Sequence, residues 1–119
     1  MNYARTYTGG CHCGAVRYET TTDLTHVVSC NCSICSKRGA LWAFVKPEQF
    51  ALRCGEDDLA DYQFNRKVIH HVFCRECGIE SFARGTTPDG SAMIAINVRC
   101  LDDLDVGGLA LTPFDGKHL

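Results

Sequence analysis

The cysteine spacing constrains this chain more than any other feature. Nine cysteines occur in 119 residues, and seven fall into three tight groups: Cys11-His12-Cys13, Cys30-Asn31-Cys32-Ser33-Ile34-Cys35 and Cys74-Arg75-Glu76-Cys77. The count is odd, and Met1 to Gly10 has no basic segment followed by an apolar one, so a secreted disulfide scaffold is not expected. A reducing, cytoplasmic setting is the expectation instead, and there clustered thiols serve as metal ligands or reactive groups.

In a C-x-C pair on a strand, alternate side chains share a face, so Cys11 and Cys13 can direct both sulfurs at one ion. Gly9, Gly10 and Gly14 beside them let the backbone turn closely around a metal. Cys74 and Cys77, followed by Gly78, have the spacing of a zinc ribbon. Two pairs supply four ligands, and a Cys₄ tetrahedron closed by the protein is structural. Such sites bind zinc with roughly 10–16 kcal/mol in peptides, comparable with the ~5–15 kcal/mol stability of a domain, so the metal would govern folding.

Cys30, Cys32 and Cys35 are three ligands, which leaves a tetrahedral ion one open position, as in catalytic sites. Two competing readings are a second structural site, closed by a distant histidine or Cys54, and a redox group that forms a disulfide. Zinc is preferred to an iron–sulfur cluster because nothing in the spacing requires one. The expectation is therefore two zinc ions per chain, one structural and one catalytic.

The length suits one domain spanning residues 1–119. Twelve Lys and Arg stand against 14 Asp and Glu, a net charge of −2 with interspersed signs, which argues against a nucleic-acid partner. No apolar run approaches the ~18 residues needed to span a bilayer, so no membrane partner is expected. Period-two stretches predict strands at Ala15–Glu19, Thr25–Val28, Leu41–Val45, Phe50–Arg53, Asp61–Phe64, Val68–Phe73 and Met93–Val98. Turn signals separate them at Gly9-Gly10, Gly55 to Asp58, Pro88-Asp89-Gly90 and Gly107-Gly108, which predicts a mostly β chain forming an antiparallel sandwich or barrel. Helix is confined to a turn at Ser33–Lys37 and another at Pro47–Phe50, and Leu109–Leu119 is read as coil.

Gly9-Gly10-Cys11-His12-Cys13-Gly14, Ser29 to Cys35, and Phe73-Cys74-Arg75-Glu76-Cys77-Gly78, with Asn97 to Leu101 and Phe114-Asp115-Gly116, resemble the glutathione-dependent formaldehyde-activating enzyme (GFA) family, which also includes centromere protein V. The resemblance runs over nearly the whole chain. It implies an Mss4-like β-sandwich with zinc-knuckle elements, a structural zinc on Cys11, Cys13, Cys74 and Cys77, and a catalytic zinc on Cys30, Cys32 and Cys35. The implied reaction condenses glutathione with formaldehyde to S-(hydroxymethyl)glutathione, a carbon–sulfur lyase activity in reverse. A small thiol and a small aldehyde are then the expected partners.

Among the remaining residues, Lys37, Arg38, Arg66 and Arg99 are candidates for holding the carboxylates of such a thiol, Arg38 best placed because it follows Cys35 by three. The alternative for each is a solvated surface charge. His70 and His71 occupy successive strand positions, so only one can face a given site; the expectation is ordinary strand or surface histidines. His12 should point away from the metal its neighbours share. Cys54 and Cys100, without partner spacing, are expected in the core, as are Trp42 and Phe44 on one strand face, with Trp42 as a possible pocket wall. Two functions outside catalysis compete: a zinc-binding interaction module, and a thiol redox switch in which the triad releases zinc on oxidation.

Overall fold

Alternation of inward and outward side chains builds the sheets, and Arg17–Thr22 shows it most plainly, with Tyr18, Thr20 and Thr22 buried between partly exposed Arg17, Glu19 and Thr21. The computed structural model describes residues 4–63 and 69–115. Within them β1 (Arg5–Gly10), β2 (Arg17–Thr22) and β5 (Phe50–Cys54) form an antiparallel sheet in the order β1-β2-β5. A second sheet has the order β10-β3-β4-β9-β8, made of β3 (Val27–Cys30), β4 (Leu41–Val45), β8 (Phe82–Thr86), β9 (Ala92–Asn97) and β10 (Leu111–Phe114). The pair β6 (Leu59–Tyr62) and β7 (His71–Cys74) forms a third, small sheet, and a bridge between His70 and Arg84 links it to β8. Among the described residues the α-helix is limited to α1 (Cys35–Arg38), with short 3₁₀ turns elsewhere, and no helix is long and apolar enough to cross a membrane.

β4 is the pivot between two clusters of buried side chains. Leu41, Ala43 and Val45 face the large core, where Tyr18, Phe50 and Phe82 pack with ring centroids 4.8–5.8 Å apart. Such ring pairs contribute about 0.5–1.5 kcal/mol each beyond simple burial. The Tyr18 hydroxyl donates to the Ser81 carbonyl at 3.0 Å, so its polar end is satisfied inside. On the other face of β4, Trp42 joins Cys35, Ala40 and Ala83 in a smaller cluster that also takes in Cys30, Cys32 and Ile34. Cys11, Cys74 and Cys77 border the large core instead, so the two cysteine groups rest on different clusters.

The mostly β, antiparallel expectation holds, and each expected strand appears within a few residues of its place, although Phe64 and Val68 lie outside the described residues. Three strands were not anticipated. β1 ends in Gly9-Gly10, which read as a turn; a Cβ on Gly10 would lie 2.0 Å from the Val16 carbonyl oxygen, so glycine there serves a close backbone approach. β8 has little alternation to signal it. The tail read as coil contains β10, an exposed edge strand parallel to β3, and Pro113 is tolerated there because an edge leaves one side of the ladder unpaired.

Candidate functional site

The first cysteine cluster is assembled from two distant loops. Cys11 follows β1, Cys13 lies in the bend after it, Cys74 ends β7 and Cys77 sits in the succeeding turn. The C-x-C pair therefore lies in a bend and not on a strand as expected, yet its sulfurs converge. All four Sγ atoms lie within 4.8 Å of one another, with Cys11 to Cys13 at 3.6 Å and Cys13 to Cys74 at 3.7 Å. Ligands ~2.3 Å from a tetrahedral zinc stand about 3.8 Å apart, so this donor set fits that ion. Backbone N–H groups point at the sulfurs, from Val16 to Cys11 at 3.3 Å and from Glu76 to Cys74 at 3.4 Å, as suits thiolate acceptors. Gly78 closes the second loop at φ +80°, which a side chain would oppose.

Cys30 ends β3, Cys32 lies in the following turn and Cys35 opens α1, which brings three sulfurs within 4.8 Å of one another over six residues of chain. The Cys32 N–H donates to Cys30 Sγ at 3.4 Å, and the buried Trp42 indole donates to Cys35 Sγ at 3.3 Å. Among the described residues no histidine, carboxylate or further cysteine joins this group. Cys54, the suggested fourth ligand or core residue, is neither: it is exposed at the end of β5, against the Ala15 carbonyl. Burial pushes the Cys35 thiol up to about 12 although the Trp42 N–H opposes it, and the neighbouring thiols add to the rise.

Beside the triad lies an open depression of about 460 Å³, lined by Ser33, Ile34, Lys37, Arg38, Tyr62 and Phe73. Ser33 and Ile34 belong to the triad loop itself, so the depression adjoins the loop that carries the sulfurs. The Arg38 guanidinium stacks over the Phe73 ring, 5.5 Å from its centroid, and lies 2.7 Å from Glu80 Oε1. Glu80 is buried, and its Oε2 meets Nδ1 of the equally buried His71 at 3.0 Å.

The family model of the glutathione-dependent formaldehyde-activating enzymes matches residues 6–113. This chain belongs to that family. A crystal structure of a Rhodobacter sphaeroides protein is similar over 88% of this chain and 99% of its own, with 30% identity and a TM-score of 0.76.

For a GFA-family chain the other sequence candidates divide sharply. Lys37 and Arg38 line the depression, whereas Arg99 donates to the Gly39 carbonyl at 2.9 Å and thereby holds the end of α1. Arg66 lies outside the described residues. His70 is half-exposed and pairs with Asp61 at 2.7 Å, and His12 is exposed beside the first cluster. Phe44 shares the face of Trp42 but is 47% exposed, because the triad loop covers that face only as far as Trp42; it is not a core residue. Cys100 is partly buried, 4.0 Å from the Glu80 carbonyl. Tyr62, Phe73 and Glu80 were missed: the two aromatics entered only as members of expected strands, and nothing in the sequence singled out Glu80.

Proposed function

We propose that this chain is a zinc-dependent enzyme of carbon–sulfur lyase character, which condenses a small thiol such as glutathione with a small aldehyde such as formaldehyde. The product would be S-(hydroxymethyl)glutathione. The observation that carries the reading is a three-sulfur group with no fourth ligand side chain among the described residues, set at the edge of a basic and aromatic depression. In this reading residues 1–119 act as one domain, with a structural zinc on Cys11, Cys13, Cys74 and Cys77 and a catalytic zinc on Cys30, Cys32 and Cys35.

An unperturbed thiol near pKa 8.5 is only about 3% ionised at neutral pH. A zinc ion held by Cys30, Cys32 and Cys35 would supply Lewis acidity that keeps an incoming thiol ionised and nucleophilic at neutral pH. Lys37 and Arg38 offer cationic donors for the thiol's carboxylates, and Ile34, Tyr62 and Phe73 provide apolar walls. In the reaction the sulfur bonds to the carbonyl carbon, the carbonyl π pair moves to oxygen, and the proton lost from the thiol ends on that oxygen. The reverse breaks the same carbon–sulfur bond.

Exchange NMR of the glutathione–formaldehyde equilibrium tests this, with wild type and Cys35→Ser at equal concentration and the spontaneous rate subtracted. Wild type should accelerate exchange and Cys35→Ser should not. Equal rates for both, at the spontaneous value and without thiol binding to wild type, would remove the reading.

A further inference from the structure

Glu80 is a buried carboxylate with no assigned role, and its surroundings tie the two cysteine groups together. It follows Cys77 by three residues, and Arg38 follows Cys35 by three. Its carboxylate is held at both oxygens, Oε1 by Arg38 Nη1 at 2.7 Å and Oε2 by His71 Nδ1 at 3.0 Å. Its backbone carbonyl accepts from Asn97 Nδ2 at 2.9 Å. Its side chain is only 3% exposed.

A buried ion pair is a poor way to gain stability, because desolvation offsets most of the attraction. What such a pair does supply is a fixed position for the partner that reaches the surface. Arg38 is that partner: it lines the depression and stacks on Phe73, with its side chain 30% exposed. Oε1 has no aligned hydrogen-bond donor, so the attraction to Arg38 is off the N–H axis. The guanidinium is thus held by charge and stacking, while its five N–H donors are not consumed in a linear bond to Glu80.

We propose that Glu80, braced by His71, is a positioning residue that holds Arg38 in the wall of the depression as a ready-made clamp for a carboxylate, which makes the site selective for thiols that carry one. The inference rests on the thiol-binding reading above and deepens it. A held guanidinium forms charge-assisted hydrogen bonds without first being ordered, and each is strong enough to weigh about tenfold or more in affinity.

Calorimetric titration of zinc-loaded protein with glutathione and with its diethyl ester provides the test. Wild type should bind glutathione about tenfold more tightly than the ester, which lacks both carboxylates. Glu80→Gln should lose most of that preference while its zinc content and its affinity for the ester stay the same. If Glu80→Gln does not fold, the double variant Arg38→Gln/Glu80→Gln removes both charges together and should likewise bind the two thiols equally. Tighter glutathione binding by Glu80→Gln would mean that Glu80 merely neutralises Arg38, and would overturn the proposal. An unchanged preference in Glu80→Gln, or in the double variant where that is used, would overturn it as well, and so would equal binding of the two thiols by wild type; in each case the thiol-binding reading survives. Binding of neither thiol to wild type would instead bring down that reading and this inference together.

Discussion

Without metal, sulfurs this close cannot all ionise, and the sequence of proton losses follows from their neighbours. The Ala15 N–H favours the Cys13 thiolate, but bonding to the Cys11 sulfur, some loss of hydration and bonding to the Cys74 sulfur outweigh it and push the exposed Cys13 up to about 12. Burial opposes ionisation of Cys77, yet N–H groups of Cys13 and Ile79 with the Cys11 thiol bring it down to about 6. Cys35, pushed up to about 12, is the corresponding proton holder of the triad. A zinc ion entering either cluster would have to displace the proton on Cys13 or Cys35 at any pH near neutrality, so each cluster would release at least one. Affinity at both sites should therefore fall at least ~tenfold for each pH unit of acidification, and more steeply at the four-cysteine site below about pH 6, where Cys77 also takes a proton. Competition against a calibrated chelator between pH 5 and 8 measures this, and Trp42, the chain's only tryptophan, reports on the triad by fluorescence because its indole donates to Cys35. Zinc retention that does not vary with pH would contradict it.

At the scale of elements, β10 has an importance out of proportion to its burial. All four of its residues are exposed, so its removal sacrifices little apolar contact. It nevertheless runs beside β3 up to Cys30, the Asn31 N–H donates to the Phe114 carbonyl at 3.2 Å, and the Asn31 side chain donates to Asp115 at 2.9 Å. The first half of the triad loop is pinned by this strand. Deleting residues 111–119 should leave far-UV circular dichroism nearly unchanged while the triad gives up its metal to a chelator much faster than the four-cysteine site does. Equal release from both sites in the truncated chain would show that β10 is dispensable. The tail also marks the limit of legibility in the sequence. β2 was readable because one face of it is buried, which writes a period of two into its residues, and β4 because it is buried on both faces and so reads as a short apolar run. β10 has no buried face and a proline, and what makes it a strand is a parallel pairing with a segment over eighty residues earlier. Glu80 was hidden for a related reason: an acid becomes a buried partner only when Arg38 and His71 arrive from other elements. The cysteine groups were legible because ligand spacing is a local constraint, although the bend that carries Cys11 and Cys13 was not.

For the whole molecule the two clusters differ in how much chain each ties together. The four-cysteine group joins residues 11–13 to residues 74–77, and Cys74 is fully buried at the edge of the large core. Cys30, Cys32 and Cys35 span one short loop on the smaller cluster. By the loop-entropy relation for a cross-link, a ring of some sixty residues contributes about 4 kcal/mol and one of six residues about 2 kcal/mol. Loss of the long-range tie therefore removes a large part of the ~5–15 kcal/mol on which a domain depends, and it also leaves buried sulfurs without a charge to hold. Elemental analysis should find two zinc ions per wild-type chain. Cys74→Ser should be unfolded or melt far below wild type, whereas Cys35→Ser should fold with one zinc remaining, since its serine still fits beside Trp42 and only the local loop loses its metal. Iron in quantity, or a single zinc in wild type, would remove the two-site arrangement. Equal destabilisation by the two substitutions would make both clusters structural and leave the chain without the open position on which thiol chemistry depends.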